Sequence, residues 1–78
     1  MILTLDYRNG KMGTLHWSMD EMLRFEQEYR AWLESGKPYG EFRHREEMGN
    51  GPVISCIPFH EITSRRITGT ADELDSLE

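Results

Sequence analysis

Residues 18–36 carry the complete pattern of one amphipathic helix, with a start signal and a stop signal. The Ser18 hydroxyl can accept a hydrogen bond from the backbone N–H of Glu21, and the Glu21 carboxylate can accept one from the Ser18 N–H, as in a capping box. Gly36 supplies the left-handed conformation that ends a helix, and Pro38 prevents its continuation. The segment therefore predicts a helix of about five turns.

The apolar side chains of this segment predict which face of the helix is buried. At 3.6 residues per turn, five of them fall on a stripe roughly 100° wide. They are Met22, Phe25, Tyr29, Trp32 and Leu33. Trp17, just before the cap, is placed to pack on Met22 as a hydrophobic staple. Glu26 and Arg30 are spaced for a surface ion pair of about 0.3 kcal/mol.

The chain before the helix predicts a β-hairpin. Residues 2–7 alternate between apolar and polar side chains, and residues 9–10 are an Asn-Gly turn signal. A two-residue loop would split the apolar side chains between the two faces of the hairpin. A three-residue loop with a left-handed Gly10 pairs Tyr7 with Lys11 and gathers them on one face, so we predict this register. The gathered side chains are Leu3, Leu5, Leu15 and Trp17.

The chain after the helix predicts a second hairpin and a fifth strand. Residues 41–47 have the pattern of a polar strand, residues 48–51 that of a loop, and residues 53–57 that of an apolar strand central to the sheet. Pro58 cannot donate to a ladder and predicts a tight turn before a last strand at residues 63–68. The predicted fold class is α+β, a small, mostly antiparallel sheet (β-β-α-β-β and a fifth strand) with one amphipathic helix packed on one face.

Length and charge limit the domain organisation. With 78 residues and one cysteine, the chain has room for one small domain without an internal disulfide. We assign residues 1–69 to a single α+β domain and residues 70–78 to an acidic, flexible tail, in which Thr70 and Glu73 could cap a short helical turn. Residues 77–78 resemble a cloning scar and carry no argument. The acidic residues of the tail are Asp72, Glu73, Asp75 and Glu78.

Composition also bounds location and partners. One cysteine, no apolar run near the ~20 residues that span a bilayer, and no signal-peptide pattern predict a cytoplasmic protein that does not bind membranes. The net charge is −5, and four of the negative charges lie in the tail, so the body is nearly neutral. Such a body lacks the strongly basic surface of a typical nucleic-acid binder.

Cys56, His60 and Glu61 are the residues of this sequence whose side-chain types are best suited to catalysis or metal binding. A thiol four residues before an imidazole could bind a metal or act as a nucleophile. Structural zinc requires four ligands and catalytic zinc three, and His16 and His44 lie far away in sequence. We therefore interpret Cys56 as a small core residue and His60 as a polar turn residue. The sequence predicts no catalytic residue, no metal site and no cofactor, and it favours a non-enzymatic role.

Four arginines form a candidate phosphate-binding set. They are Arg43, Arg45, Arg65 and Arg66. The first two share a strand face with Glu41 and Glu47, so that stripe is largely neutralised, and the last two point to opposite sides of the sheet if extended. Weak binding of nucleic acid or phosphate through this set is therefore the alternative hypothesis.

The sheet face that the helix leaves uncovered is the leading candidate for an interaction surface, because one helix cannot cover both faces of a sheet. Its candidate residues are Ile2, Met12, His16 and Ile54. If the apolar members are contiguous, they mark a protein interface. We expect a small cytoplasmic interaction module that binds itself as a homodimer, or binds a protein partner, through this face or an exposed strand edge.

Residues 57–62 resemble the I-P-x-H-R-I run of small archaeal and RNA-repair-associated domains. The similarity is confined to these six residues. Glu61 stands where the run has arginine, and the tryptophan and tyrosine signatures that flank it are missing. The resemblance therefore implies no function for this chain.

Overall fold

The computed structural model describes residues 1–77, apart from the side chain of Met48, and it confirms the α+β class. The strands are β1 (Ile2–Tyr7), β2 (Met12–His16), β3 (Glu41–Met48), β4 (Gly51–Pro58) and β5 (Ile62–Thr68). The helices are α1 (Met19–Ser35) and α2 (Ala71–Ser76), and a 3-10 turn spans Phe59–Glu61.

Within residues 1–77, the strands form two antiparallel sheets rather than one. The first has the order β2-β1-β5, and the second is the hairpin of β3 and β4. The prediction that residues 53–57 form a central strand is wrong, because β4 pairs with β3 alone and residues 52–56 are exposed. An apolar run is typical of a buried strand, but it does not tell which neighbours cover that strand.

The first hairpin has the predicted register. The Tyr7 N–H donates to the Lys11 carbonyl at 2.9 Å, and Gly10 has the left-handed φ of 83° that the three-residue loop requires. Leu3 lies opposite Leu15 across the two strands. The apolar side chains thus share the face that α1 covers, as the alternation predicts.

Helix α1 begins and ends where predicted. Ser18 is the N-cap and accepts a hydrogen bond from the Glu21 N–H at 3.3 Å, and Gly36 follows the helix with a left-handed φ of 71°. The reciprocal half of the predicted capping box is replaced, because the Glu21 carboxylate binds Arg24 and His44 instead. The backbone N–H therefore keeps its cap, while the carboxylate links α1 to β3.

The buried face of α1 differs from the predicted stripe at two positions. Met22, Phe25 and Tyr29 are buried and Trp32 is half-buried, as predicted. Leu33 was expected in the stripe but is 52% exposed. Glu26, expected only to form a surface pair, is 4% exposed because Arg65 of β5 lies beside it.

An aromatic cluster joins both sheets to α1. Its members are Trp17, Phe25, Tyr29, Phe42 and Phe59. Ring centroids lie 5.3 Å apart for Phe25 and Phe42, and 5.4 Å apart for Tyr29 and Phe59. Pairs at such distances contribute about 0.5–1.5 kcal/mol beyond their buried area. The cluster therefore fixes the base of the second hairpin against the rest of the domain.

The chain after β5 forms the short helix α2 with the predicted cap. The Glu73 N–H donates to the Thr70 hydroxyl at 3.2 Å, and the Thr70 N–H donates to the Glu73 carboxylate at 2.8 Å. Leu77 packs partly against the core. The flexibility of residues 70–78 stays a prediction, and Glu78 lies outside the described residues. In the part of the chain that the structure describes, no helix is both long and apolar enough to cross a membrane.

Candidate interaction surface

The uncovered face of the three-stranded sheet does not carry one continuous apolar patch. Ile2 lies opposite His16 and Met12 lies opposite Asp6, so the two apolar residues are at opposite ends of the hairpin. Ile54 lies on β4, in the other sheet. The structure therefore does not bring the four candidate residues together on one sheet face.

The two arginines of β3 are paired with neighbouring glutamates, as the alternation predicts. Arg43 Nε lies 3.2 Å from a Glu41 carboxylate oxygen, and Arg45 Nε lies 3.2 Å from a Glu47 carboxylate oxygen. All four side chains are exposed. This stripe is consequently a solvated row of alternating charge.

The two arginines of β5 lie on opposite sides of their sheet. Arg65 donates two hydrogen bonds to the buried carboxylate of Glu26, at 2.7 and 3.2 Å, and its guanidinium lies 4.6 Å from the centroid of the Tyr29 ring. Arg66 is exposed and lies opposite Thr4 on the uncovered face. The four candidate arginines are therefore distributed over two sheets, and Arg65 is already occupied.

Cys56 lies on β4, whereas His60 and Glu61 lie together in the 3-10 turn. Cys56 is exposed on β4, so its assignment to the core is wrong, because only one face of β4 at its base contacts the body. His60 lies in the 3-10 turn, as predicted, and its Nε2 is 3.8 Å from a Glu61 carboxylate oxygen, beyond hydrogen-bond distance. Among residues 1–77, no three His, Cys, Asp or Glu side chains are grouped to hold a metal ion.

A buried polar link between α1 and β3 was not predicted. His44 is 7% exposed; its Nδ1 lies 2.6 Å from a Glu21 oxygen and its Nε2 3.1 Å from a Glu46 oxygen. The hydrogen bond from Arg24, supported by His44, lowers the pKa of Glu21. The one feature of the sequence that indicates a buried His44 is its spacing of two residues from Phe42, which places both side chains on the same face of the strand.

The backbone hydrogen bonds of the second hairpin show which groups of β4 face outward. In an antiparallel pair, residues alternate between bonding the neighbouring strand and pointing away from it. The Phe59 N–H donates to the Gly40 carbonyl at 2.8 Å, which fixes this alternation. A second hydrogen bond agrees with this alternation. Arg24 donates to the Arg43 carbonyl at 2.8 Å, so the backbone groups of Arg43, which lies opposite Cys56, point away from β4.

It follows that alternate residues of β4 present their backbone groups to its outer edge. These residues are Pro52, Ile54, Cys56 and Pro58. The two prolines carry no N–H, so the free donors of the edge are the N–H groups of Ile54 and Cys56. Among the described residues, no strand pairs with this edge.

The side chains of β4 leave this edge unusually accessible. Residues 52–56 are exposed in succession, with Val53 46% and Ile54 64% exposed. Strand β4 carries no charged side chain, whereas β3 carries five. Natural edge strands are commonly protected by charged side chains or prolines. Here Pro52 and Pro58 limit the accessible edge at both ends and leave a short uncharged stretch between them.

A shallow cleft lies at the Pro58 end of this edge. It has a volume of about 390 Å³, and its lining combines Pro58, Tyr7 and Met12 with Asn9, Lys11 and Glu61. Met12 therefore lies near Pro58 of β4, whereas Ile2 lies at the far end of the first hairpin. The cleft adds apolar surface next to the strand edge.

A comparison of the chain with protein-family models, curated proteins and solved structures finds no significant match.

Proposed function

We propose that this chain is a small, non-enzymatic cytoplasmic interaction module that binds an extended protein segment by strand addition at the outer edge of β4. The observation that supports this proposal is the run of exposed, uncharged residues 52–56, with the outward N–H groups of Ile54 and Cys56 between two prolines. Strand addition is a common mode of peptide recognition because backbone hydrogen bonds supply affinity without a specific sequence.

The energetics of the hairpin favour such an addition. An isolated two-stranded hairpin is marginally stable in water, and a third strand is usually needed for stability. The outer half of β3–β4 extends beyond the core, since Val53 and Ser55 are exposed even on the face that carries buried Ile57. An added strand would satisfy the outward N–H groups, each bond contributing about 0.5–1.5 kcal/mol.

The alternating faces of β4 define the kind of segment that fits. Ile54 and Cys56 lie on the outer face, next to Arg45 and Arg43 of β3, whereas Val53 lies on the inner face. Small or apolar side chains on both faces of a bound segment would pack beside these residues, and β4 carries no charged side chain to pair with a charge near the middle of the segment. The interaction therefore selects uncharged, extended segments of about five residues.

Removing one outward N–H tests the proposal. Cys56→Pro deletes a donor that is not used by β3, and Cys56→Ser keeps that donor while removing the thiol. Thr14→Pro is the control for the other hairpin, because the Thr14 N–H points outward on β2 by the same alternation. The probe is a random-peptide display library selected on the immobilised wild-type chain.

The selected peptides should be uncharged and should bind wild type, Cys56→Ser and Thr14→Pro within about twofold of one another. Cys56→Pro should bind them at least about tenfold more weakly while its circular dichroism spectrum is retained. Equal binding to Cys56→Pro, or a failure to enrich any extended peptide on a chain that is monomeric, would contradict the proposal.

The alternative, weak binding of nucleic acid or phosphate, has less support. Arg43 and Arg45 each pair with a glutamate, and Arg65 is occupied by Glu26. Titration with polyphosphate at low and moderate salt tests it, because binding through free arginines must weaken steeply as salt increases.

A further inference from the structure

We infer that the segment bound at this edge is β4 of a second copy of the chain, so that two hairpins join into one four-stranded antiparallel sheet. This inference rests on the proposed function, because it names the occupant of the same edge. The observation behind it is that the pattern of donors and prolines along β4 is complementary to itself.

The self-complementarity follows from the outward positions. When two copies of β4 meet antiparallel around a twofold axis at Ser55, Ile54 lies opposite Cys56 of the second copy, and Cys56 lies opposite its Ile54. Each of these pairs exchanges two hydrogen bonds, so both free donors of each copy are used. Pro52 then lies opposite Pro58 of the second copy, and the residues without an N–H face each other.

The neighbouring registers are less favourable. If the axis passes through Ile54, Cys56 lies opposite Pro52 of the second copy, and its carbonyl has no donor to bind. If the axis passes through Cys56, the carbonyl of Ile54 lies opposite Pro58 and is unpaired in the same way. A buried carbonyl without a donor is unfavourable. In the Ser55 register, the only carbonyls left over belong to the prolines at the rim, where water reaches them.

The side chains agree with the same register. On the outer face, Ile54 and Cys56 of both copies form one cluster, and β4 contributes no charge to it. On the inner face, exposed Val53 lies opposite Ile57 of the second copy, which is buried against its own core. The exposed outer half of each hairpin thus lies beside the base of the other hairpin, which packs against its own core. Pro52 of the second copy lies next to Pro58, at the apolar cleft that includes Met12.

Cysteine cross-linking tests this register directly. Opposite residues of a non-hydrogen-bonded pair have Cα atoms about 4.5 Å apart, within the disulfide range of about 4.4–6.8 Å. Ser55 is the only residue that meets itself in this register, so the variant Cys56→Ser/Ser55→Cys should form an interchain disulfide under mild oxidation. The matched control Cys56→Ser/Val53→Cys also places its cysteine at an exposed position on the same face of β4. Its two thiols are separated by about 13 Å, because Val53 meets Ile57.

Light scattering on the full chain under reducing conditions supplies the second readout. The wild-type mass should rise with concentration from 9.2 kDa toward twice that value, at low and at moderate salt. Cys56→Ser should behave like wild type, and Cys56→Pro should remain a monomer at concentrations where wild type associates. Because the cross-linking variants keep every backbone donor, they remain informative if Cys56→Pro does not fold.

The outcomes separate this inference from the proposed function. Preferential cross-linking of the Ser55→Cys variant, together with a concentration-dependent mass, supports the twofold dimer. A monomeric wild type at about 1 mM, or equal cross-linking of the two cysteine variants, overturns it. If the chain is monomeric but display-selected peptides bind wild type and not Cys56→Pro, the homodimer is excluded and strand addition stands. If neither peptides nor a second copy binds, both are wrong.

Discussion

The buried ion pair between α1 and β5 gives a sharp test of how this fold is held together. Glu26 is 4% exposed, and Arg65 donates to its carboxylate at 2.7 Å from Nε and 3.2 Å from Nη2. The guanidinium also lies over the ring of Tyr29. We predict that Arg65→Met lowers the free energy of unfolding strongly, because it leaves the Glu26 carboxylate buried without its main partner.

The structure also sets the expected magnitudes. Removing one partner of a buried pair costs about 3–5 kcal/mol. Arg30 lies 3.3 Å from Glu26 and can replace part of the interaction, so we expect a loss of about 2–3 kcal/mol for Arg65→Met. Glu26→Leu should cost about 1–2 kcal/mol, because the Arg65 side chain is 28% exposed and can be hydrated. The double variant should lie within about 1 kcal/mol of wild type, since no unpaired charge remains.

Urea denaturation followed by tryptophan fluorescence measures these differences. A domain of this size is stable by about 4–12 kcal/mol, so a loss of a few kcal/mol is a large part of the total. Arg45→Met is the matched control, because the side chains of the Arg45–Glu47 pair are 65% and 71% exposed and their contact contributes under about 0.5 kcal/mol. Additive losses in the double variant, or a loss for Arg65→Met no larger than that for Arg45→Met, would refute the reasoning.

Two further predictions concern the acid stability and the packing of the domain. The hydrogen bond from Arg24 lowers the pKa of Glu21, so this group stabilises the fold above its unfolded pKa, and the contribution is lost as the pH falls through the lower folded value. Glu21→Gln should therefore show a smaller decrease in unfolding free energy between about pH 5 and pH 2 than wild type, and an unchanged acid limb would contradict this. Gly40→Ala would place its Cβ 2.7 Å from the Trp32 Nε1, so we expect a loss of about 1–3 kcal/mol in urea denaturation. The matched change Gly49→Ala, which meets no atom within 4 Å, should alter stability by less than about 0.5 kcal/mol, and equal effects would contradict the packing argument.

The elements that were predicted correctly depend on signals close together in the chain. Ser18 and Gly36 mark the ends of α1 because capping and the left-handed stop involve only the adjacent turns. The first hairpin follows from Gly10 and the alternation on either side of it, which together select the pairing of Tyr7 with Lys11. In each case the competing arrangement would have divided the apolar side chains between two faces.

The errors concern contacts between elements that are distant in sequence. Cys56 was assigned to the core because an apolar run was expected inside one continuous sheet, whereas β4 belongs to a separate hairpin. Glu26 is buried because Arg65, which follows it by 39 residues, reaches it. The link from Glu21 to His44 spans 23 residues. No local pattern indicates which of several charged partners will lie beside a carboxylate in the folded chain.

The two edges of the second hairpin differ in their side chains and in their backbone contacts. This difference supports the choice of β4 as the interacting strand. The outer edge of β3 carries charged side chains, and Arg24 already occupies the Arg43 carbonyl. A strand approaching that edge would have to displace Arg24 from the Arg43 carbonyl and would lie beside a row of charged side chains, which is unfavourable. The β4 edge has neither obstacle, and its two prolines restrict pairing to the stretch between them. A hairpin with one edge closed and the other open over a short, bounded stretch favours a single added strand over unlimited sheet growth.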